Sequence, residues 1–202
     1  TGTSITQAAM RMLASAGVLV GFCGGGSTPL FAGAEIEWLN PQNEYRPTEY
    51  VQGWLKFWFD ANQRLIIAKL LQHARIEYLQ KVWSKDRDLQ IEGFDVNNEI
   101  LQSYLQTYTH KIDQAQKVGD LLLHEAECTK HLYKLATHAT QTTHFNRDHT
   151  GADQANAFLN HGNYLAYGLA ACTLWVLGIP HGFAVMHGKT RRGALVFDIA
   201  DL

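Results

Sequence analysis

The chain has 202 residues, 46% of them hydrophobic and 18% charged, with a formal net charge of −2 at pH 7. This composition excludes global disorder and carries no general polyanion-binding signature, so any nucleic-acid contact has to come from local patches. Cys23, Cys128 and Cys172 are odd in number and far apart, without a C-x-x-C pair; neither a disulfide framework nor a zinc ribbon is expected, and a reducing cytoplasm fits best.

The length allows one good core, or one domain and part of another. Residues 4–16 read as a short helix with Ser4 as its N-cap and Gly17 as its stop. "VLVGFC", "PLFAG" and "EIEWL" are short β-like runs separated by "GGGST". No Lys-Ser/Thr follows that glycine triplet, so it reads as a strand-to-strand turn and not as a phosphate loop. "NPQNEYRP", residues 40–47, is the best linker because two prolines interrupt a polar stretch.

From Thr48 onward the pattern is helical. Trp54, Trp58, Ala61, Leu65 and Ala68 recur at spacings of four and three, which predicts an amphipathic helix with its aromatics in the core. A second helix is expected after Asp95 or Asn97, carrying Leu101, Tyr104, Leu105 and Tyr108, and a third over residues 112–136. "QTTHFNRDHTGADQ" reads as a polar loop before a buried helix over residues 155–177. Residues 164–186 lack Asp, Glu, Lys and Arg, but Gly178, Pro180 and Gly182 break the run, so a core helix is expected and not a membrane span. No secretory leader is expected, and "TGTSITQAAM" and "DIADL" read as helix ends that have been cut. The expected fold class is α+β: the end of a small N-terminal β lobe (1–41), a linker (42–47) and a mainly α-helical catalytic lobe (48–202), truncated at both ends.

Glu125, in "LLLHEAECTKHLY", shares a helical face with Val118, Leu121, Leu122, Cys128, Thr129 and Leu132. Burying that carboxylate unpaired costs several kcal/mol, so it needs a cation, a base or a metal; a structural salt bridge is the plainer alternative. "HEAEC" begins like an H-E-x-x-H zinc helix, but Cys128 stands where the second histidine belongs. His124, His131 and His138 recur every seven residues, two turns apart, and are expected to be solvated. Further on, "MHGKTRRGALVFDIADL" places His187 near Asp198 and Asp201, which share one side of a helical turn, with "GALVF" read as an extended run before them. One imidazole and two carboxylates without thiolate suit Mn²⁺ or Mg²⁺ better than structural zinc. Lys189, Arg191 and Arg192 could bring a phosphate to that ion, or form a solvated loop. Together these residues read as metal-assisted phosphodiester chemistry.

Glu125 with Tyr133 eight positions on, then "ANAFLNHGNYLAYGLAACTLWVLGIPHGFAVMHGK" and "FDIADL", resembles the CRISPR-associated integrase Cas one, most like its type I-F branch. "GTSITQAAMRMLASAG" and "GFCGGGSTPLFA" resemble the end of that family's N-terminal β lobe. The resemblance implies a metal-dependent DNA endonuclease and integrase that inserts protospacer DNA into a CRISPR array. It implies cytoplasmic homodimers, two of which sandwich the Cas two protein, fused to Cas three in type I-F systems. It places metal ligands at Glu125, His187 and Asp201, a supporting aspartate at Asp198, and a tyrosine near the catalytic centre at Tyr167. Double-stranded DNA would meet Lys189, Arg191 and Arg192, and no membrane is involved. Two rival readings remain: a helical HD-type phosphohydrolase, which lacks its His-Asp dipeptide here because "RDH" has the wrong order, and an inactive DNA-binding scaffold.

Overall fold

The computed structural model describes residues 4–18, 20, 47–142, 145–188 and 193–202. Within them lie eight helices and no strand: α1 Gln7–Ser15, α2 Glu49–Trp58, α3 Ala61–Trp83, α4 Arg87–Ile91, α5 Glu99–Gln114, α6 Val118–Ala139, α7 Gln154–Val176 and α8 Ala194–Ala200. The β-like runs, the glycine triplet and most of the expected linker lie outside the described residues. Two compact units are formed, one from Thr1–Gln52 and Asp148–Pro180, the other from Gly53–Arg147 and His181–Leu202.

In the first unit, α1 is capped by Thr6 and not by Ser4: the Thr6 hydroxyl accepts from the Ala9 N–H at 3.2 Å. Gly17, at φ +68°, ends the helix as expected. Asp153 caps α7 by accepting from the Asn156 N–H at 2.9 Å. The Asn156 side chain is fully buried; its Oδ1 accepts from the Asp148 N–H and its Nδ2 donates to Asp153, so it ties the preceding loop to α7. Only Asn156, Ala170, Ala171, Leu174 and Trp175 of α7 are buried. The expectation of a helix buried throughout is therefore corrected, since Phe158 is 67% and Leu169 72% exposed. No helix among the described residues is long and apolar enough to cross a membrane.

In the second unit, α3, α5 and α6 pack on one another. Leu101, Leu105, Tyr108 and Ile112 repeat at four, three and four residues, which puts them on one buried stripe of α5. Each buried leucine or isoleucine there contributes about 2 kcal/mol. Ala68, Gln72 and Ile76 of α3 and Leu121 and Cys128 of α6 are buried as well.

Capping explains where the elements differ from the periodicity. The expected Trp54-to-Ala68 helix is divided at Asp60, whose Oδ1 accepts from the Asn62 and Gln63 N–H groups and starts α3 afresh. Asn98 starts α5 in the same way, through the Ile100 N–H at 2.9 Å. The helix expected over 112–136 is two helices, because Asp120 Oδ2 accepts from the Gln116 and Lys117 N–H groups and fixes a new start at Val118. "GALVF" is not extended: Ala194, Leu195 and Val196 are buried residues of α8, entered through Gly193 at φ +64°. A short apolar run has no period by which a buried helix can be told from a strand.

Candidate metal centre

The segment that carries His187 is held from two sides. On one side, Trp54 and Trp58 lie one turn apart on α2, and their indole N–H groups donate to the carbonyls of Phe183 (2.9 Å) and Ala184 (2.8 Å). On the other, the buried Asp198 of α8 accepts from the backbone N–H groups of Val185 (2.6 Å), Met186 (3.1 Å) and His187 (3.0 Å). Five consecutive residues thus have a hydrogen bond to a helix-borne side chain. The buried Gln72 of α3 adds a further contact, donating to Met186 Sδ at 3.2 Å while accepting from the Tyr108 hydroxyl at 2.7 Å.

Asp198 also fixes the His187 ring. Its Oδ1 lies 2.7 Å from His187 Nδ1, so Nδ1–H donates to the carboxylate and Nε2 is left to face the site. His187 Nε2 lies 3.9 Å from Asp201 Oδ2. One ligating atom each from Glu125, His187 and Asp201 lies within 4.8 Å of the others, close enough for a single ion to take all three. An imidazole whose other nitrogen is held by a carboxylate, beside two half-buried carboxylates, is the donor chemistry of a divalent-cation site.

The ionisable groups of the site act on one another. Burial pushes the Glu125 carboxyl up to about 7; the nearby Asp201 adds to the rise, and Arg75 opposes it. His187 is also raised, first by its hydrogen bond to Asp198, with burial working the other way. Arg75, from α3, donates from Nη1 to Glu125 Oε1 at 3.0 Å and from Nη2 to the Thr129 hydroxyl at 3.3 Å.

The structure therefore brings Glu125, His187 and Asp201 together, with Asp198 behind His187 as a positioning residue. Tyr167 lies on α7 in the first unit, with its ring edge-on to Tyr164. Lys189, Arg191 and Arg192 lie outside the described residues. Two histidines differ from expectation. His131 is not simply solvated: it stacks on Tyr104 at 3.7 Å, and its Nε2 is buried without a hydrogen-bond partner among the described residues. His124 Nδ1 is likewise buried without one, 3.7 Å from Glu127.

Arg75, Gln72 and the tryptophan clamps were not anticipated as parts of the site. Gln72 and Arg75 follow Ala68 at four and seven residues, on the stripe that Ile76 continues, so two polar side chains interrupt a core face of α3. That interruption is the signal that a buried carboxylate such as Glu125 has a partner there.

A helical core bearing one oriented imidazole and two carboxylates within reach of one another defines a class of protein whose site could hold a divalent cation. The family model described as "CRISPR associated protein Cas1" matches residues 1–202, and the chain belongs to that family. It is 56% identical over 208 residues to a CRISPR-associated endonuclease Cas1 of Pseudomonas aeruginosa (strain UCBPP-PA14) and 53% identical to one of Pectobacterium atrosepticum. All of this chain is covered in both cases, and it spans 64% of the length of each relative. Among solved structures it resembles a CAS1 protein from Thermotoga maritima, with TM-score 0.65, 14% identity, and 97% of this chain and 59% of that one covered. It also resembles a casposase bound to integration product, with TM-score 0.60, 16% identity, and coverage of 98% and 56%. At those identities the likeness is one of fold.

Proposed function

We propose that the protein is a divalent-metal-dependent DNA endonuclease and integrase of CRISPR adaptation. The observation that carries this reading is the Glu125, His187 and Asp201 donor set, with His187 oriented by Asp198, in a member of the Cas1 family. Its relatives bear the name endonuclease over the whole of this chain's length.

Glu125, His187 Nε2 and Asp201 would hold Mn²⁺ or Mg²⁺, with the imidazole favouring Mn²⁺. Bound there, such an ion would supply polarisation of a phosphodiester and stabilisation of negative charge on its leaving oxygen. Asp198 keeps the His187 Nδ1 proton, and with the backbone bonds it fixes where Nε2 points. The 3′-hydroxyl of a protospacer strand attacks a phosphodiester at an end of a CRISPR repeat; one P–O bond forms as another breaks, so no ATP is required. Lys189, Arg191 and Arg192 contact phosphates without reading sequence, and binding to double-stranded DNA weakens with salt accordingly. Tyr167 is proposed as a further residue of the catalytic set.

The working assembly is cytoplasmic and homodimeric, with two dimers around a Cas two protein fused to Cas three. Residues 1–41 belong to the end of the family's β lobe, and residues 48–202 to its helical lobe. The test is joining of a 3′-hydroxyl DNA end into supercoiled, repeat-containing DNA with Mn²⁺. His187→Ala and Asp201→Ala abolish joining while circular dichroism stays unchanged; normal joining by both variants refutes the assignment.

A further inference from the structure

We infer that Arg75 is a fixed fourth charge of the metal centre, positioning Glu125 and setting the site's net charge so that a divalent ion is matched better than a trivalent one. This rests on the metal-binding reading above.

The guanidinium is anchored at two points on α6, because Glu125 and Thr129 are one turn apart on the same face and each takes one of its nitrogens. The Arg75 side chain is 17% exposed and that of Glu125 13%, so neither is a solvated surface partner. Asp201 acts on Arg75 as well as Glu125 does, which places the cation beside two of the three ligands. Among the described residues, the centre holds three carboxylates, Glu125 and Asp201 beside Arg75 and Asp198 behind His187, and one guanidinium, while His187 is neutral when it ligates. Two negative charges remain, and a divalent ion cancels them. With Arg75 neutralised, three remain, and the added ion is best matched when trivalent. In a half-buried site a charge this close acts with little screening.

Two effects of Arg75 on metal affinity oppose each other, and the choice of ions separates them. Losing the fork loosens Glu125 and weakens every ion alike, so it cancels in a ratio of affinities. Losing the charge favours the trivalent ion more than the divalent one, so it does not cancel. Titration calorimetry with Mn²⁺ and with Tb³⁺, in phosphate-free buffer just above neutrality, therefore reads the charge alone. Arg75→Met and Arg75→Gln are expected to raise the preference for Tb³⁺ over Mn²⁺ by ~10-fold or more. Arg75→Lys and Thr129→Val keep the cation and leave that preference as in the parent, although both lower absolute affinity. Gln can still donate to Glu125, so it carries the test if the Met variant does not fold. An unchanged preference in the neutral variants, or an equal shift in Arg75→Lys, overturns the inference. If the parent binds Mn²⁺ no more tightly than His187→Ala does, the metal-binding reading itself falls, and the role of Arg75 with it.

Discussion

Asp198 Oδ1 accepts from both the backbone N–H and the ring Nδ1 of His187, at 3.0 and 2.7 Å. One buried carboxylate thus sets the position of the residue and the direction of its imidazole. Asp198→Asn keeps the volume but turns an amide, a donor, toward groups that all donate. It is expected to weaken Mn²⁺ binding by ~10- to 100-fold. Calorimetry on the parent and variant checks this, and a concurrent fall in melting temperature is expected because three backbone N–H groups share that acceptor.

The indole clamps act on the same segment from α2. Trp58→Phe removes a hydrogen bond to Ala184 and perturbs an edge-on contact with Phe183 at 5.0 Å and a stacked Arg64 at 5.5 Å. Trp54→Phe removes the bond to Phe183 and perturbs an edge-on contact with Phe57. Each lost bond costs about 1 kcal/mol, and Trp58→Phe is expected to be the more damaging because more interactions converge on it. Thermal unfolding of both variants ranks them.

The buried Tyr108 hydroxyl donates to Gln72 Oε1 at 2.7 Å. Gln72→Leu leaves that hydroxyl without its acceptor and is expected to destabilise by ~1–3 kcal/mol. Combining it with Tyr108→Phe, which removes the stranded group, should recover part of the loss. A double-mutant cycle from denaturant unfolding measures the recovery.

The proton on Glu125 gives the metal-free fold a pH dependence of known sign. Folded protein holds it to about pH 7, whereas an ordinary glutamate releases it near 4.5. Between those values the native state binds more protons than the unfolded chain, so the Glu125 contribution to metal-free stability falls as pH rises and levels off above about 7. His187, also raised, contributes stability that is fully present below about 6.5 and is lost as pH climbs through its folded value. Glu125→Gln should therefore flatten the decline and raise the melting temperature above neutrality in chelator. In the parent, Mn²⁺ should restore stability there, since the ligands bind it deprotonated.

Much of this was legible in the sequence. Glu125 stood out because a carboxylate interrupts an apolar stripe, and Asp198 and Asp201 because their i, i+3 spacing puts both on one side of a helical turn, with His187 a short way upstream. Helix starts at Asp60, Asn98 and Lys117 were blurred because apolar periodicity runs across a cap without breaking. Arg75 is 50 residues from Glu125, and nothing in one sequence announces which distant cation meets a given buried acid. The exposed apolar face of α7 was missed for a related reason: composition shows that a segment is apolar, not whether anything in the chain covers it.

The central claim is that Glu125, His187 and Asp201 hold one divalent ion. Diffraction from Mn²⁺-soaked crystals at the manganese absorption edge tests it most directly. A single anomalous peak is expected among Glu125, His187 Nε2 and Asp201, at ~2.0–2.3 Å from each ligating atom, with His187 Nδ1 still bonded to Asp198. No peak there at saturating Mn²⁺, or a peak bound elsewhere while these three side chains keep their metal-free positions, would contradict the account.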